Sequence, residues 1–114
     1  MNCSRGDVIL VRFPNSDLKT YKKRPALVVQ ADNLKTEFKQ RIVALITSNP
    51  DRRGETRVHV SQNSELGRQM KIVSDSVIVT DNLATVLERE IDKVIGNCSK
   101  MEDIDKALRK SLAL

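Results

Sequence analysis

The sequence predicts a mainly β domain with a C-terminal helix, an α+β fold whose strands form a closed or nearly closed barrel. Most of the chain consists of short β-branched and apolar runs separated by polar turns. Many short strands in one chain are typical of barrels. The C-terminal segment instead spaces its apolar residues as a helix does. With 114 residues, 39% of them hydrophobic and 31% charged, the chain fits a single globular domain spanning residues 1–114.

Three strands are predicted in the first half of the chain. Asp7–Phe13 is an apolar, β-branched run that is closed by Pro14. Pro25–Ala31 begins with a proline, which a strand tolerates at its first residue. Arg41–Thr47 is apolar on both faces, so we expect a central, buried strand. Further short strands are predicted at Thr56–Val60, Gln69–Val73 and Ser76–Thr80.

The C-terminal segment predicts one helix at about residues 100–112. Ser99 and Glu102 have the spacing of a capping box, in which two side chains satisfy backbone N–H groups of the first helical turn. The apolar stripe that we expect to pack on the barrel consists of Met101, Ile104, Leu108 and Leu112.

The net charge of +5 is concentrated in the front part of the chain. Residues 1–73 carry 14 Lys and Arg against 7 Asp and Glu, whereas residues 74–114 carry 6 against 8. Two polar connections, Pro14–Lys23 and Asn49–Glu55, hold several of these cations, and long connections between strands are often functional. A basic region of this kind indicates a polyanionic ligand.

The sequence argues against membrane and metal-binding classes. The longest apolar run, Ile42–Ile46, is far shorter than the roughly 20 residues of a membrane helix. The N-terminus lacks a signal-peptide pattern, so we expect a soluble, cytoplasmic protein. Cys3 and Cys98 form no CxxC pair or Cys/His cluster, so we expect two reduced thiols and no metal site.

Three stretches together resemble the MazF/PemK family of toxin endoribonucleases. They are Arg5–Val11 with Phe13-Pro14, Lys23–Val29, and Val43–Ser48. Downstream, Asp75–Ile78 and the Ile95-Gly96 step before the C-terminal helix follow the family's order. Each motif is weak by itself, but the ordered set covers essentially the whole chain.

The resemblance implies an SH3-like β-barrel of the CcdB/PemK type that works as a homodimer. It also implies cleavage of single-stranded RNA without a metal or another cofactor, and neutralisation by a cognate antitoxin protein. Two residues carry over from the family motifs. Arg24, just before Pro25, corresponds to the catalytic arginine, and Thr47 corresponds to the catalytic threonine.

The chain departs from the family pattern at two arginine positions. Many members carry a D-Q-I/P-R-T motif, where this chain has D-N-L-A-T over Asp81–Thr85. Ala84 therefore stands at the arginine position of this motif. A further catalytic arginine of PemK-like members corresponds to Val79. We therefore expect Arg24 to act without these helpers.

Metal-free cleavage of RNA proceeds by attack of the 2′-hydroxyl on the neighbouring phosphorus, and negative charge grows on the phosphorane oxygens. A guanidinium stays charged and pairs with two phosphate oxygens at once. We therefore assign Arg24 to charge stabilisation and Thr47 to holding a phosphate oxygen. The general base stays open: His59 is of a residue type that titrates near neutral pH, and Asp81 is a second candidate.

Cations of the two polar connections are expected to follow the RNA backbone, which gives affinity rather than sequence choice. Aromatic residues are few, so base stacking is expected only at Tyr21. The predicted RNA-binding residues are Lys19, Tyr21, Lys22, Lys23, Ser48, Asn49, Arg52 and Arg53.

Two alternatives to an endoribonuclease stay open at the level of the sequence. The first is a catalytically weak or inactive binding protein on the same barrel, acting on a protein target such as DNA gyrase, as the related CcdB toxins do. Ala84 at the arginine position favours this alternative. The second is a structural interaction domain, which the presence of both Arg24 and Thr47 in their expected settings disfavours.

Overall fold

One antiparallel six-stranded sheet and two helices make up the fold, in a computed structural model that describes residues 3–35, 39–49, 51 and 53–114. The strand order across the sheet is β4-β5-β3-β2-β1-β6. In chain order the elements are β1 (Asp7–Pro14), β2 (Tyr21–Val28), β3 (Gln40–Thr47), β4 (Arg57–Val60), α1 (Glu65–Met70), β5 (Ser76–Leu87), a 3-10 turn (Glu88–Glu90), β6 (Ile91–Asn97) and α2 (Glu102–Leu112).

The sheet is strongly curled, but it is not closed. Strand β1 contacts β5 although two strands separate them in the sheet order, so the sheet folds over on itself. Strands β4 and β6 are the two ends of that order and are not paired with each other. The predicted mainly β fold with a C-terminal helix is confirmed, whereas closure of the barrel is not.

Both faces of the sheet are buried, which explains the apolar runs in the central strands. One face carries a cluster formed mainly by strand side chains such as Ile9, Phe13 and Val79. The other face is covered by the helices, through Met70 of α1 and Ile104 of α2. The central position predicted for β3 is confirmed, because its residues 43–46 are all buried and alternate between the two clusters.

The connection between β1 and β2 is shorter than the predicted loop Pro14–Lys23. Strand β2 already begins at Tyr21, so the positions predicted as the end of a loop lie on a strand. The remaining turn is held by Asp17, whose Oδ1 accepts the backbone N–H groups of Lys19 and Thr20, both at 2.9 Å. These bonds stabilise a tight turn where the sequence predicted a long loop. The two strands of this hairpin are therefore longer than predicted.

The predicted strand Gln69–Val73 is wrong, because Gln69 and Met70 are the last two residues of helix α1. Ser64 caps this helix by accepting the backbone N–H of Gly67 at 3.0 Å. The short helix then turns Met70 into the core between the sheet and the helices. A segment this short is compatible with either structure, and Ser64, a residue type favoured at the N-cap, was the signal for a helix.

Strands β5 and β6 extend beyond their sequence signals. The predicted strand Ser76–Thr80 continues to Leu87, through the polar Asp81–Thr85 tract. Strand β6 was not predicted as a strand, since its edge position leaves Asp92 and Lys93 exposed and breaks the apolar alternation.

The predicted C-terminal helix is confirmed as α2, but its capping box is wrong. The N-cap is Met101, without a side-chain capping bond, and Ser99 Oγ donates to Gln69 Oε1 at 2.5 Å instead. Ile104 is buried as expected, whereas Leu112 is 52% exposed and Ala107 is buried instead. No helix in the described ranges is long and apolar enough to cross a membrane.

Gly96 allows the end of α1 to lie directly on β6. A Cβ atom at this position would lie 2.6 Å from the carbonyl oxygens of both Gln69 and Met70. We predict that Gly96→Ala lowers the free energy of unfolding by about 2–3 kcal/mol, because the obstructing atoms belong to the backbone of a packed helix. Urea unfolding measures this change. Val94→Ala on the same strand is the control, since Val94 is partly exposed, and a cost for Gly96→Ala no larger than that of the control would contradict the packing described.

Candidate functional site

A cavity of about 520 Å³ lies where the start of β2 and the end of β3 meet the end of α1 and the edge strand β6. Its floor is apolar, and it includes the buried side chains of Val8, Ile46 and Met70. Its remaining lining is formed by lysine, arginine, serine and threonine residues together with exposed parts of the α1–β5 connection. The cavity therefore combines an apolar base with a polar, cationic rim.

The register of β2 against β3 brings Arg24 and Thr47 to this cavity. Ala26 pairs with Leu45 across the two antiparallel strands. Two residues outward along each strand from that pair, beyond the last paired residues, are Arg24 and Thr47, so alternation puts both on the face of the sheet that carries Ala26 and Leu45. Both residues are half-buried, and both line the cavity.

A chain of hydrogen bonds orients the Arg24 guanidinium. Arg24 Nη2 donates to Asn15 Oδ1 at 3.1 Å. The amide nitrogen of Asn15 donates to Thr20 Oγ1 at 2.9 Å, and this hydroxyl also lies 2.9 Å from Asp17 Oδ2. The turn between β1 and β2 thus fixes the Asn15 amide so that its oxygen faces Arg24. Sequence reasoning missed Asn15, because nothing in its spacing distinguishes it from an ordinary turn residue.

Cations surround the cavity on two sides. Among the described residues that line it, none carries a carboxylate, although Asp92 lies 3.6 Å from the Lys23 ammonium just outside. Positive charges gathered at a concave surface raise the local concentration of anions. The lining cations are Lys22, Lys23, Arg24, Lys71 and Lys93.

Lys71 and Lys93 were not among the predicted site residues. Lys71 follows α1, where the sequence pattern favoured a strand, and Lys93 lies on the unpredicted strand β6. The packing of α1 against β6 brings Lys71 to the cavity, and the pairing of Lys93 with Leu10 of β1 brings Lys93 there. No local motif reports either position.

The Thr47 hydroxyl keeps its hydrogen available for a further hydrogen bond. Its Oγ1 accepts the backbone N–H of Asn49 at 3.3 Å, which occupies a lone pair and leaves the hydroxyl hydrogen available. Further hydroxyl-bearing residues of the lining are Ser48, Ser74 and Ser76. A guanidinium and a hydroxyl that line one basic cavity are suited to binding a phosphodiester.

The remaining predicted RNA-binding residues do not line this cavity. Lys19 is exposed in the β1–β2 turn, and Asn49 and Arg53 are exposed beyond the end of β3. Tyr21 lines a separate cavity, where the Arg12 guanidinium lies 5.6 Å from the centre of its ring. Arg52 lies outside the described residues.

Neither candidate base is among the described residues that line the cavity of Arg24. Asp81 forms a two-point ion pair with Arg57, with Oδ1 2.9 Å from Nε and Oδ2 3.0 Å from Nη2. Partial burial opposes ionisation, but the hydrogen bonds and charge of Arg57 outweigh it and hold the pKa of Asp81 below its usual range. His59 is exposed on β4 and lines a shallow cavity next to α2.

The two positions at which the family pattern has arginine lie in or against the core. Val79 is fully buried in the cluster that includes Ile9 and Phe13, and Ala84 packs against the same cluster. An arginine at either position of this chain would have to displace core contacts.

Both cysteines are free and buried. Burial raises the pKa of the Cys3 and Cys98 thiols, which disfavours the reactive thiolate. They pack in different apolar clusters. The described residues bring no three His, Cys, Asp or Glu side chains together as a set of metal ligands.

The chain matches, over residues 4–112, the family described as PemK-like, MazF-like toxin of type II toxin–antitoxin system. A match of this extent shows that the chain belongs to this toxin family. No curated protein matches it significantly.

Solved structures share the fold at low sequence identity. An endoribonuclease from mycobacterial species, in complex with its cognate antitoxin, has a TM-score of 0.76 at 20% identity and covers 99% of this chain and 97% of its own. The Mycobacterium tuberculosis toxin MazF-mt6 has a TM-score of 0.71 at 21% identity, with coverage of 95% and 97%. A chain of the Deinococcus radiodurans MazE-MazF complex has a TM-score of 0.65 at 16% identity, with coverage of 98% and 96%.

The ion pair between Arg57 and Asp81 predicts a pH-dependent contribution to stability. Because the folded pKa of Asp81 is depressed, its stabilisation is present above the ordinary carboxyl pKa of about 3.9 and is lost as the pH falls through the folded value. Asp81→Asn should therefore lower the free energy of unfolding near pH 7 by less than about 1 kcal/mol, since the pair is partly exposed. The difference from wild type should shrink between about pH 5 and pH 2.

Urea unfolding at several pH values measures this effect. Asp51→Asn, which removes an exposed carboxylate elsewhere, is the control. A difference between wild type and Asp81→Asn that grows on acidification would show that the pair does not stabilise the fold.

Proposed function

We propose that this chain is an endoribonuclease toxin that cleaves single-stranded RNA at selected sequences without a metal ion, and that a cognate antitoxin neutralises it. One observation carries the proposal: Arg24 and Thr47 line a single cationic cavity whose described lining has no carboxylate. Membership of the toxin family and the endoribonuclease activity named for mycobacterial relatives of this fold support it.

The chemistry assigned to the cavity is transesterification. The O2′ atom bonds to phosphorus while the bond from phosphorus to O5′ breaks, which leaves a 2′,3′-cyclic phosphate and a 5′-hydroxyl. Arg24 stabilises the charge that grows on the phosphorane oxygens, and the Thr47 hydroxyl donates to one of them. These two groups orient the phosphate and supply positive charge without a metal ion.

Proton transfers need separate donors and acceptors. No described carboxylate or imidazole lines the cavity, so we assign removal of the 2′ proton to solvent hydroxide. An ammonium of the rim, such as that of Lys22 or Lys93, protonates the departing O5′ through water. The apolar floor accommodates the face of a base next to the cleaved bond, and this contact is the proposed source of sequence preference.

The proposed partners follow from the charge of the cavity and from the family. Relatives of this fold form complexes with antitoxins. We propose that the antitoxin presents an acidic segment to the same cations, and that the toxin acts as a cytoplasmic homodimer. Light scattering of the purified chain, alone and with the antitoxin, measures both assemblies.

Arg24→Ala should lower the cleavage rate by roughly a hundred- to a thousandfold, because one preorganised donor to the developing charge is lost. Thr47→Ala should lower it as well, and Thr47→Ser should restore most of the rate because it keeps the hydroxyl. The assay uses a long single-stranded RNA in EDTA and identifies the product ends. Lys106→Ala, on the exposed side of α2, is the control for loss of a charge outside the cavity.

Cleavage at equal rates by wild type and Arg24→Ala would contradict the proposal. RNA binding without cleavage in any buffer would instead favour the weak or inactive binding protein, which the core positions of Val79 and Ala84 make the second candidate. Loss of cleavage in His59→Ala would return His59 to consideration as the base.

Asn15→Ala should lower kcat about tenfold while KM changes little, because the Arg24 guanidinium loses the oxygen that orients it. Asn63→Ala, in an exposed turn outside the cavity, is the control. An unchanged kcat in Asn15→Ala would show that the hydrogen bond to Arg24 does not position it for the reaction.

A further inference from the structure

Lys71 occupies a backbone position that favours glycine. It lies at the end of α1 with φ 56° and ψ 38°, in the left-handed region. Its N–H donates to the Arg68 carbonyl at 3.2 Å, and the Ile72 N–H donates to the Gly67 carbonyl at 3.3 Å. These two bonds form a Schellman motif, and the left-handed residue of this motif is usually glycine because a Cβ atom there is crowded.

The side chain that this strained backbone presents lies at the proposed RNA site. Lys71 lines the same cavity as Arg24 and Thr47, on the side formed by α1 and β6. It is exposed, and no carboxylate of the described residues forms an ion pair with it. Its ammonium is therefore available to an anion in the cavity.

A second residue with the same backbone conformation as Lys71 serves as a control. It separates the effect of backbone strain on stability from the effect of the lysine charge on binding. Ala113 ends α2 in the same left-handed conformation, with φ 57° and ψ 46°. Its N–H likewise donates to the Arg109 carbonyl. Ala113 does not line the cavity, so relief of strain at this position leaves the cationic surface unchanged.

We propose that Lys71 is a substrate contact that binds an RNA phosphate adjacent to the one held by Arg24, and that the fold gives up stability to place it there. The proposal rests on the proposed RNA site, but not on catalysis, because a phosphate contact requires only binding. Cations on β2 hold one side of the RNA backbone, and Lys71 holds the other. Strain retained at a functional position in this way is a known feature of binding sites.

The test compares Lys71→Gly, Lys71→Ala, Ala113→Gly and Lys106→Ala with wild type. The probe is a single-stranded 2′-O-methyl RNA oligonucleotide, which binds but lacks the attacking hydroxyl. Loss of one phosphate contact should weaken binding about fivefold at 0.1 M salt, and should reduce the slope of log K against log salt by about 0.7. Both Lys71 variants should show these changes, whereas Ala113→Gly and Lys106→Ala should not.

Thermal unfolding supplies the second readout. Lys71→Gly and Ala113→Gly should each raise Tm by about 2–6 °C, because glycine relieves the left-handed strain. Lys71→Ala should not, because alanine keeps the Cβ atom. The distinguishing result is Lys71→Gly, which becomes more stable and binds RNA more weakly.

If Lys71→Gly binds the oligonucleotide with the affinity and the salt slope of the wild type, this inference is overturned, and the proposed nuclease activity stays intact. Failure of the wild type to cleave unmodified RNA, with weaker oligonucleotide binding in both Lys71 variants, would overturn the catalytic proposal alone. Absence of oligonucleotide binding by the wild type would overturn both.

Discussion

The antiparallel register between β2 and β3 is the constraint on which the proposed site depends. Val28 and Val43 contribute to one apolar cluster, and Leu27 and Ala44 contribute to the other. A slip of one residue would exchange the two faces and place core side chains against the wrong cluster. The same hydrophobic pattern that fixes this register therefore sets Arg24 and Thr47 on one face, at neighbouring strand ends that line one cavity.

Repulsion within the cationic rim lowers the stability of the free protein, and the same positive charge favours binding of an anionic ligand. Like charges around one cavity repel each other, and an RNA backbone or an acidic antitoxin segment offsets that repulsion when it binds. The two buried clusters on either side of the sheet supply the stability that this arrangement requires. In the proposed role of Lys71, the left-handed backbone likewise lowers the stability of the fold in favour of ligand binding.

The elements that were predictable from sequence are those whose burial shows in the local pattern of apolar residues. Strand β3 and helix α2 show this, because one is buried on both faces and the other has an apolar stripe. Helix α1 is too short for a periodic signal, and β6 is an edge strand with exposed charges. Arg24 and Thr47 were found through motif resemblance. Asn15 reaches Arg24 through the turn of the β1–β2 hairpin, whereas Lys71 and Lys93 reach the site only through tertiary packing and strand pairing.

A crystal structure with a 2′-O-methyl RNA oligonucleotide tests the central claim most directly. The account predicts a phosphate within about 3 Å of an Arg24 guanidinium nitrogen and of Thr47 Oγ1, the range of a charge-assisted hydrogen bond. It also predicts a base over the apolar floor that includes Val8 and Ile46. An oligonucleotide bound elsewhere, for instance at the surface around Tyr21, with the cavity of Arg24 left empty, would contradict it.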